Sequence, residues 1–433
     1  MQTNFKKNQL ENPEINTSEK ILRKCVHCGM CNATCPTFQI LGDELSGPRG
    51  RIYLIKDMLE NNKPANAKIT KHIDQCLSCY ACLTTCPAGV DYLHLIDHGR
   101  NHIERTYKRP IFQRLLRNIL AIVLPNPVLF KLIGVVTNIF RPLMFLAPSN
   151  IKNMVKFMPK EFPKSKLPNN PVFKPKSKVV SKVALLTGCV QKVISPEIND
   201  SSINILTRHG IEVHILKDIK CCGSLTHHMG KEASAHKLIE FNIKKWHDLY
   251  EKENLDAILV NTSGCGTTLK DYGFIFRNHP DPKFRKKAKM ISKLTKDITE
   301  YLDESIKLDF IESSKKKTYR IAYHSACSMQ HGQKVHEQPV KLLNKTGNHI
   351  YEIPDGHICC GSAGTYNLMQ PEIAGELLKR KVNNIQKINP DFVATGNVGC
   401  IKQISMGTKI PILHTIELLD WYTGGKKPDS IKS

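Results

Sequence analysis

The chain has no run of about 18 uninterrupted apolar residues, the length a membrane-crossing helix needs. Arg117, Lys131 and Arg141 break up its most apolar segment, so no bilayer span is expected. The first 20 residues are polar and hold no apolar core of a secretory leader. A cytoplasmic, reducing setting is therefore expected for the 16 cysteines, which then read as metal ligands or catalytic groups rather than disulfides. Also missing are a G-x-G-x-x-G turn after a strand, a P-loop and a nucleophile elbow. A hydride acceptor is thus expected on another chain. Acidic residues are scarce, 39 Asp and Glu against 63 Lys and Arg. No helix-turn-helix, RNA-binding or zinc-finger pattern accompanies that charge, so nucleic acid is not an expected partner. The excess of positive charge suits solubility, anionic lipid headgroups or an acidic partner protein.

At 433 residues the chain has room for about three domains. Composition divides it into a polar N-terminal arm (1–20), a cysteine-dense domain (21–100), a cysteine-free helical segment (101–160), a Lys/Pro-rich linker (161–182) and two further cysteine-bearing domains (183–311 and 319–423). Within the helical segment, Ile111, Leu115, Leu116, Ile119, Leu120 and Val123 recur at helical spacing, with Gln113, Arg114, Arg117 and Asn118 off that face. Asn126 and Pro127 mark the start of a second helix. A helical hairpin packed on a neighbouring domain or subunit is the expectation; apolar contact with a membrane surface is the alternative.

The stretch CVHCGMCNATCP (25–36) returns as CLSCYACLTTCP (76–87). Two-residue gaps let three thiolates wrap one iron–sulfur cube, and the fourth cysteine, three residues on, ligates the other cube of a pair. That crossover assigns Cys25, Cys28, Cys31 and Cys86 to one [4Fe–4S] cluster and Cys76, Cys79, Cys82 and Cys35 to the second. Structural zinc is the competing reading, but it wants paired C-x2-C units and leaves the third cysteine of each run without a role. The two runs lie 41 residues apart, and LSGPRGRIYLIKDMLENN (45–62) between them reads as a helix, which makes this an α-helical two-cluster domain.

The remaining eight cysteines also repeat. Cys189, Cys221, Cys222 and Cys265 are answered by Cys327, Cys359, Cys360 and Cys400, the first three displaced by 138 residues. Cys189 and Cys327 follow short apolar runs, as when a buried parallel strand delivers a ligand at its carboxyl end. Two pseudo-symmetric α/β cysteine-rich domains are expected, with loops converging on one cysteine-lined site and with room for a further iron–sulfur centre. Gly223 and Gly361, after each Cys-Cys pair, are expected to let the backbone approach closely and to open helices. His227, His228 and His324 lie near these cysteines in sequence, where a histidine can tune or ligate a centre; structural or surface roles are the expectation.

The Cys-Cys-Gly repeats joined to a two-cluster domain resemble the family of heterodisulfide reductase subunits, lactate-oxidation iron–sulfur proteins and the anaerobic glycerol-3-phosphate dehydrogenase subunit. More closely, SGPRGRIYLIKDMLE, CLSCYACLTTCPAGVDYLHLIDHGR and YKRPIFQRLLRNIL resemble the iron–sulfur subunits of bacterial glycolate oxidase, from about residue 18 to 423. The resemblance implies an electron-transfer subunit with no catalytic residues of its own. It would take electrons from flavin-binding oxidase subunits that turn glycolate into glyoxylate, and pass them to membrane quinone or another carrier. The expected location is the cytoplasm, with peripheral contact at the cytoplasmic face of the inner membrane as the alternative that the apolar hairpin and the basic charge leave open. Relatives with non-cubane clusters carry C-x2-C at the last position of each repeat; here Thr268 follows Cys265 and Gln403 follows Cys400. That departure weighs against disulfide-splitting chemistry of the heterodisulfide-reductase kind. A glycerol-3-phosphate or lactate dehydrogenase subunit is the alternative within the family.

Overall fold

A computed structural model describes residues 1–142, 155, 158–311 and 317–431. The N-terminal domain is helical, with its core drawn from Leu22, Ile55, Met58, Ile73, Leu95, Ile96 and Ile103. The helix expected between the cysteine runs is Pro48–Glu60, with proline at its first turn, where a missing N–H costs nothing. The polar arm is not a free tail. Asn12 caps a helix over Pro13–Lys24, accepting from the N–H groups of Glu14 and Ile15, and its apolar stripe docks Ile21 and Leu22 on the core. Asn-Pro is a start signal, but the arm's polarity hides it.

Two largely parallel sheets follow, and their central strands are too apolar to show alternation because both faces are buried. The first runs in the order β1-β3-β2-β4-β5 (Val172–Phe173, Ile211–His214, Ser181–Leu186, Ala257–Val260, Thr295–Asp297). The second runs β7-β6-β8-β9 (His349–Glu352, Arg320–His324, Phe392–Thr395, Ile412–His414). Without β1 the two orders are identical, so the sequence repeat is also a topological one. β1 pairs antiparallel with β3 through Val172 and Phe173. The sheet therefore begins inside the segment read as a linker; a two-residue edge strand is too short to leave a periodic trace. The second polar joint (312–319) lies largely outside the described residues.

The helical hairpin forms over Ile111–Val123 and Pro127–Ile139, the second capped by Asn126 as expected. Its packing differs from the expectation. Only Leu120 and Val123 of the apolar set are buried, while Ile111, Phe112, Leu115, Ile119 and Ile122 face outward. Arg117, placed off the buried face by periodicity, is buried: it pairs with Glu104 at 3.5 Å and donates to the Met229 carbonyl at 2.6 Å. Two partners distant in sequence override the helical pattern. No single helix among the described residues is long and apolar enough to cross a membrane, though the bent hairpin pair, turned by 117°, passes that test jointly.

Candidate metal centres

Both cysteine runs of the N-terminal domain use the same unusual backbone. Residues two and four beyond the first cysteine have positive φ in each copy: His27 at 59° and Gly29 at 81°, Ser78 at 50° and Tyr80 at 60°. Three of these are not glycine, and each left-handed residue costs about 1–2 kcal/mol. Such strain persists where the surroundings over-determine it. Here it turns successive sulfurs to one side of the loop. Pro36 and Pro87 follow the last cysteines; Pro36 opens the helix Pro36–Leu41.

The structure brings Cys86, from the second run, to the first three cysteines of the first: Cys25, Cys28, Cys31 and Cys86 line one cavity, together with Cys82. Burial and the neighbouring Cys25, Cys86 and Cys28 sulfurs push the Cys31 thiol up to about 11. Cys35 crosses the other way and lies with Cys76, Cys79 and Cys82. A thiol crowded by like groups gives up its proton readily only to a metal. The second quartet also has cations built against it. Arg51, 1 % exposed, reaches Cys35 Sγ at 3.9 Å and donates to Thr37 Oγ1 at 2.9 Å and the His72 carbonyl at 2.7 Å. Burial raises the Cys76 thiol, but Arg51 and Arg100 outweigh it, and Cys76 sits below the ordinary thiol range. Ser78 N–H and Tyr92 O–H also donate to its sulfur, at 3.5 and 3.6 Å. Such donors and cations suit an anionic thiolate centre, so these residues fit a pair of [4Fe–4S] clusters.

In the cysteine-rich domains, Cys189 and Cys327 each lie three residues beyond the end of a central strand, β2 or β6. Cys265 and Cys400 sit in the first turn of the helices after β4 and β8, Ser263–Lys270 and Val398–Ser405. The thiols do not converge on one site. They gather as two separate quartets, one per domain: Cys189 and Cys221 sulfurs are 3.5 Å apart, and Cys327 and Cys359 3.7 Å, with Cys222–Cys265 and Cys360–Cys400 closing each group. Burial and neighbouring sulfurs raise most of these thiols well above their ordinary range. Gly223 and Gly361 have φ of 83° and 90°, and a Cβ on either would lie 2.7 Å from Ile239 or 2.6 Å from the Ala374 carbonyl. Only after Gly223 does a helix start at once (Ser224–His228); after Gly361 the chain turns first.

The second quartet adjoins the N-terminal domain. Cys79 and Leu77 pack in one apolar cluster with Cys359, Ile358 and Tyr366, and Cys327 borders it. Tyr366 O–H donates to the Gln75 carbonyl at 3.0 Å, and Thr84 meets His331 at 2.7 Å. The first quartet faces elsewhere. A cavity of about 520 Å³ separates Cys189 and Cys221 from Ala121, Ile122 and Pro125 of the hairpin. Lys192, Lys220 and Lys237 line its sides.

His227 and His228 turn to Asp97 of the N-terminal domain at 3.3 and 3.1 Å and act as domain ties. His324 is different. Its imidazole is buried beside Cys360 and Cys400, the three ligand atoms all within 4.8 Å of one another. Burial pushes it down to about 3, so it is neutral. Arg51, Lys381 and the His94–Asp271 contact were not legible as functional residues; each depends on partners scattered over distant segments, and nothing in S-G-P-R-G-R tells Arg51 from Arg49.

Comparison with known proteins bears on both halves. The 4Fe-4S dicluster domain family matches residues 21–90, and the cysteine-rich domain family matches 183–270 and 321–405. The chain is 37 % identical over 424 residues to the glycolate oxidase iron-sulfur subunit of Escherichia coli, covering 97 % of this chain and 98 % of that one. It is 26 % identical over 423 residues to a probable glycolate oxidase iron-sulfur subunit of Bacillus subtilis, covering 92 % and 93 %. Lactate utilization protein A of a Geobacillus strain is 25 % identical over 245 residues, 55 % of this chain and 99 % of its own. A crystal structure of a hypothetical Helicobacter pylori protein shares the fold, with a TM-score of 0.53 at 9 % identity over 97 % of this chain and 74 % of that one.

Proposed function

Since the chain belongs to the family of glycolate oxidase iron–sulfur subunits, we propose that it relays electrons within a flavin-dependent glycolate dehydrogenase, from flavin-binding partner subunits to a membrane quinone. In this reading Cys25, Cys28, Cys31 and Cys86 hold one [4Fe–4S] cluster, and Cys35, Cys76, Cys79 and Cys82 hold the other. Clusters so bound take and release one electron at a time, which is all the chemistry the relay needs. The protein's own residues supply position, charge and insulation.

The observation that carries the reading is the run of neighbouring thiol groups from the two N-terminal quartets to the second cysteine-rich quartet. At one end Cys28 is exposed, flanked by outward-facing Val26, Met30 and Tyr53, a patch suited to a docking flavoprotein. At the inner end Cys79 packs against the second cysteine-rich quartet. Arg51 and Arg100 balance negative charge between them. A substrate hydroxyacid has no part in this path, so the choice between glycolate and lactate rests with the partner.

The acceptor side is supported by the hairpin. Its exposed apolar face, from Phe112 at 82 % to Val128 at 79 % exposure, lies beside the cavity that ends at Cys189 and Cys221. Apolar contact with the acyl region and the formal net charge of +24 both favour an anionic membrane surface. A quinone tail would enter along the hairpin, with lysines near its carbonyl oxygens. In this proposal the subunit sits peripherally on the membrane's cytoplasmic face, a reading supported by the exposed apolar hairpin and the positive charge.

Reconstitution tests the reading. Combined anaerobically with the flavin subunits, this chain should confer glycolate-dependent reduction of a quinone analogue that neither component shows alone. Disulfide reduction by the isolated chain, or full quinone reduction by the flavin subunits without it, would overturn the proposal.

A further inference from the structure

The two cysteine quartets are related by the repeat, yet their surroundings are not equivalent. Three residues before Cys327 stands His324; three before Cys189 stands Leu186. Both close their strand, so they occupy the same place in the two sheets. His324 Nδ1 meets Thr395 Oγ1 at 3.1 Å, while Nε2 is buried without a hydrogen-bond partner among the described residues. A buried imidazole nitrogen left unpaired costs about 1–3 kcal/mol. One ring nitrogen and the Cys360 and Cys400 sulfurs all lie within 4.8 Å of one another, close enough to share a metal ion.

A second difference concerns charge. Gly223 and Gly361 abut the carbonyls of Ala235 and Ala374, and seven residues beyond those alanines come Asn242 and Lys381. Asn242 donates to the Lys220 and Cys221 carbonyls. Lys381, only 2 % exposed, donates to the Asp355 carbonyl at 3.0 Å and pairs with no carboxylate among the described residues. A buried ammonium needs a counter-charge, and the nearby negative groups available are the second-quartet thiolates.

From these observations we infer that the second cysteine-rich domain holds a metal centre ligated by nitrogen as well as sulfur: His324 is a ligand alongside Cys327, Cys359, Cys360 and Cys400, and the first domain, with Leu186 in its place, has no such nitrogen. The hydrogen bond between His324 and Thr395 fixes the ring, as outer-shell partners of ligating histidines do. A neutral imidazole would supply a bound iron with less negative charge than a thiolate and so would favour the reduced form, the direction in which histidine replacement moves other iron–sulfur centres. The two domains would then carry electronically distinct sites, with the nitrogen-bearing one next to Cys79.

The inference rests on the reading that the second quartet binds metal, and the test separates the two. The anaerobically purified full chain carrying Cys222→Ser, to silence the first domain, is reduced with dithionite and examined by pulsed electron paramagnetic resonance, with and without ¹⁵N-histidine labelling. Metal per chain is counted on the same samples. A strong nitrogen coupling that changes with the label and disappears in His324→Cys, with metal retained, supports the assignment. A coupling that survives His324→Cys, or none in the parent while metal is present, overturns it and leaves the relay intact. Metal content that is unchanged by Cys360→Ser would overturn the inference together with the reading of the quartet as ligands. Leu186→Met serves as the matched control and should leave both the coupling and the metal count unchanged.

Discussion

Replacing Arg51 by methionine should lower the reduction potential of the cluster held by Cys35, Cys76, Cys79 and Cys82. The guanidinium is 1 % exposed and lies 3.9 Å from Cys35 Sγ. At an effective dielectric constant of about 20, a unit charge at that distance is worth about 4 kcal/mol. An electron spread over the centre beyond that sulfur would feel about half, roughly 2 kcal/mol, which for a one-electron couple is roughly 90 mV. Methionine keeps much of the volume but removes the cation and the bonds to Thr37 and the His72 carbonyl. Arg51→Lys keeps the charge and loses the fork, so it separates electrostatics from packing. The assay is a redox titration followed by electron paramagnetic resonance on the full chain. The expected result is a fall of roughly 90 mV in Arg51→Met and only a small part of that in Arg51→Lys. Equal shifts in the two variants, or none in Arg51→Met with the cluster present, would refute the charge argument.

Other perturbations test other contacts. His94 joins Asp91 of its own domain to Asp271 of the first cysteine-rich domain, with Nε2 at 2.9 Å from the Asp271 carboxylate. Burial lowers its pKa, but the two carboxylates outweigh this and raise it to about 9. Because the folded value is the higher one, the stabilisation is complete below about pH 6.5 and fades as pH rises through about 9, by roughly 3 kcal/mol. Thermal unfolding at pH 6 and pH 10 should show that loss in the parent and a flatter profile in His94→Gln. Gly361→Ala forces a Cβ to 2.6 Å from the Ala374 carbonyl at φ 90°, so it should cost about 2–4 kcal/mol and release metal from the second cysteine-rich domain, as read by unfolding and metal counting. Paired Phe112→Asp and Ile122→Asp changes should remove about 2 kcal/mol of apolar transfer each and abolish flotation with anionic vesicles, while cluster absorption stays normal.

The cluster domain was legible because its information is local. Cys-x2-Cys-x2-Cys-x3-Cys-Pro fixes loop geometry within a dozen residues, and its return at Cys76 announces a pair. The cysteine-rich domains were legible through repetition: each strand-then-cysteine signal recurs, and the sheets do repeat their order. What stayed hidden depends on contacts far apart in sequence. Arg117 reads as a solvent-facing arginine until Glu104 and Met229 are placed around it. One shared cysteine site was expected where the structure has two, since spacing along the chain does not tell whether two pseudo-symmetric loops meet. His324 was visible in the sequence as a histidine near the cysteines, but which sulfurs it meets follows from the parallel pairing of β6 with β8.

The relay claim is tested most directly at Cys79, which packs between the N-terminal thiols and the second cysteine-rich quartet. In the complete complex carrying Cys79→Ser, glycolate should still bleach the partner flavin in an anaerobic stopped-flow experiment, while quinone reduction ceases and the first cluster keeps its signal. Quinone reduction at the parental rate, with the second cluster shown to be absent, would contradict the account.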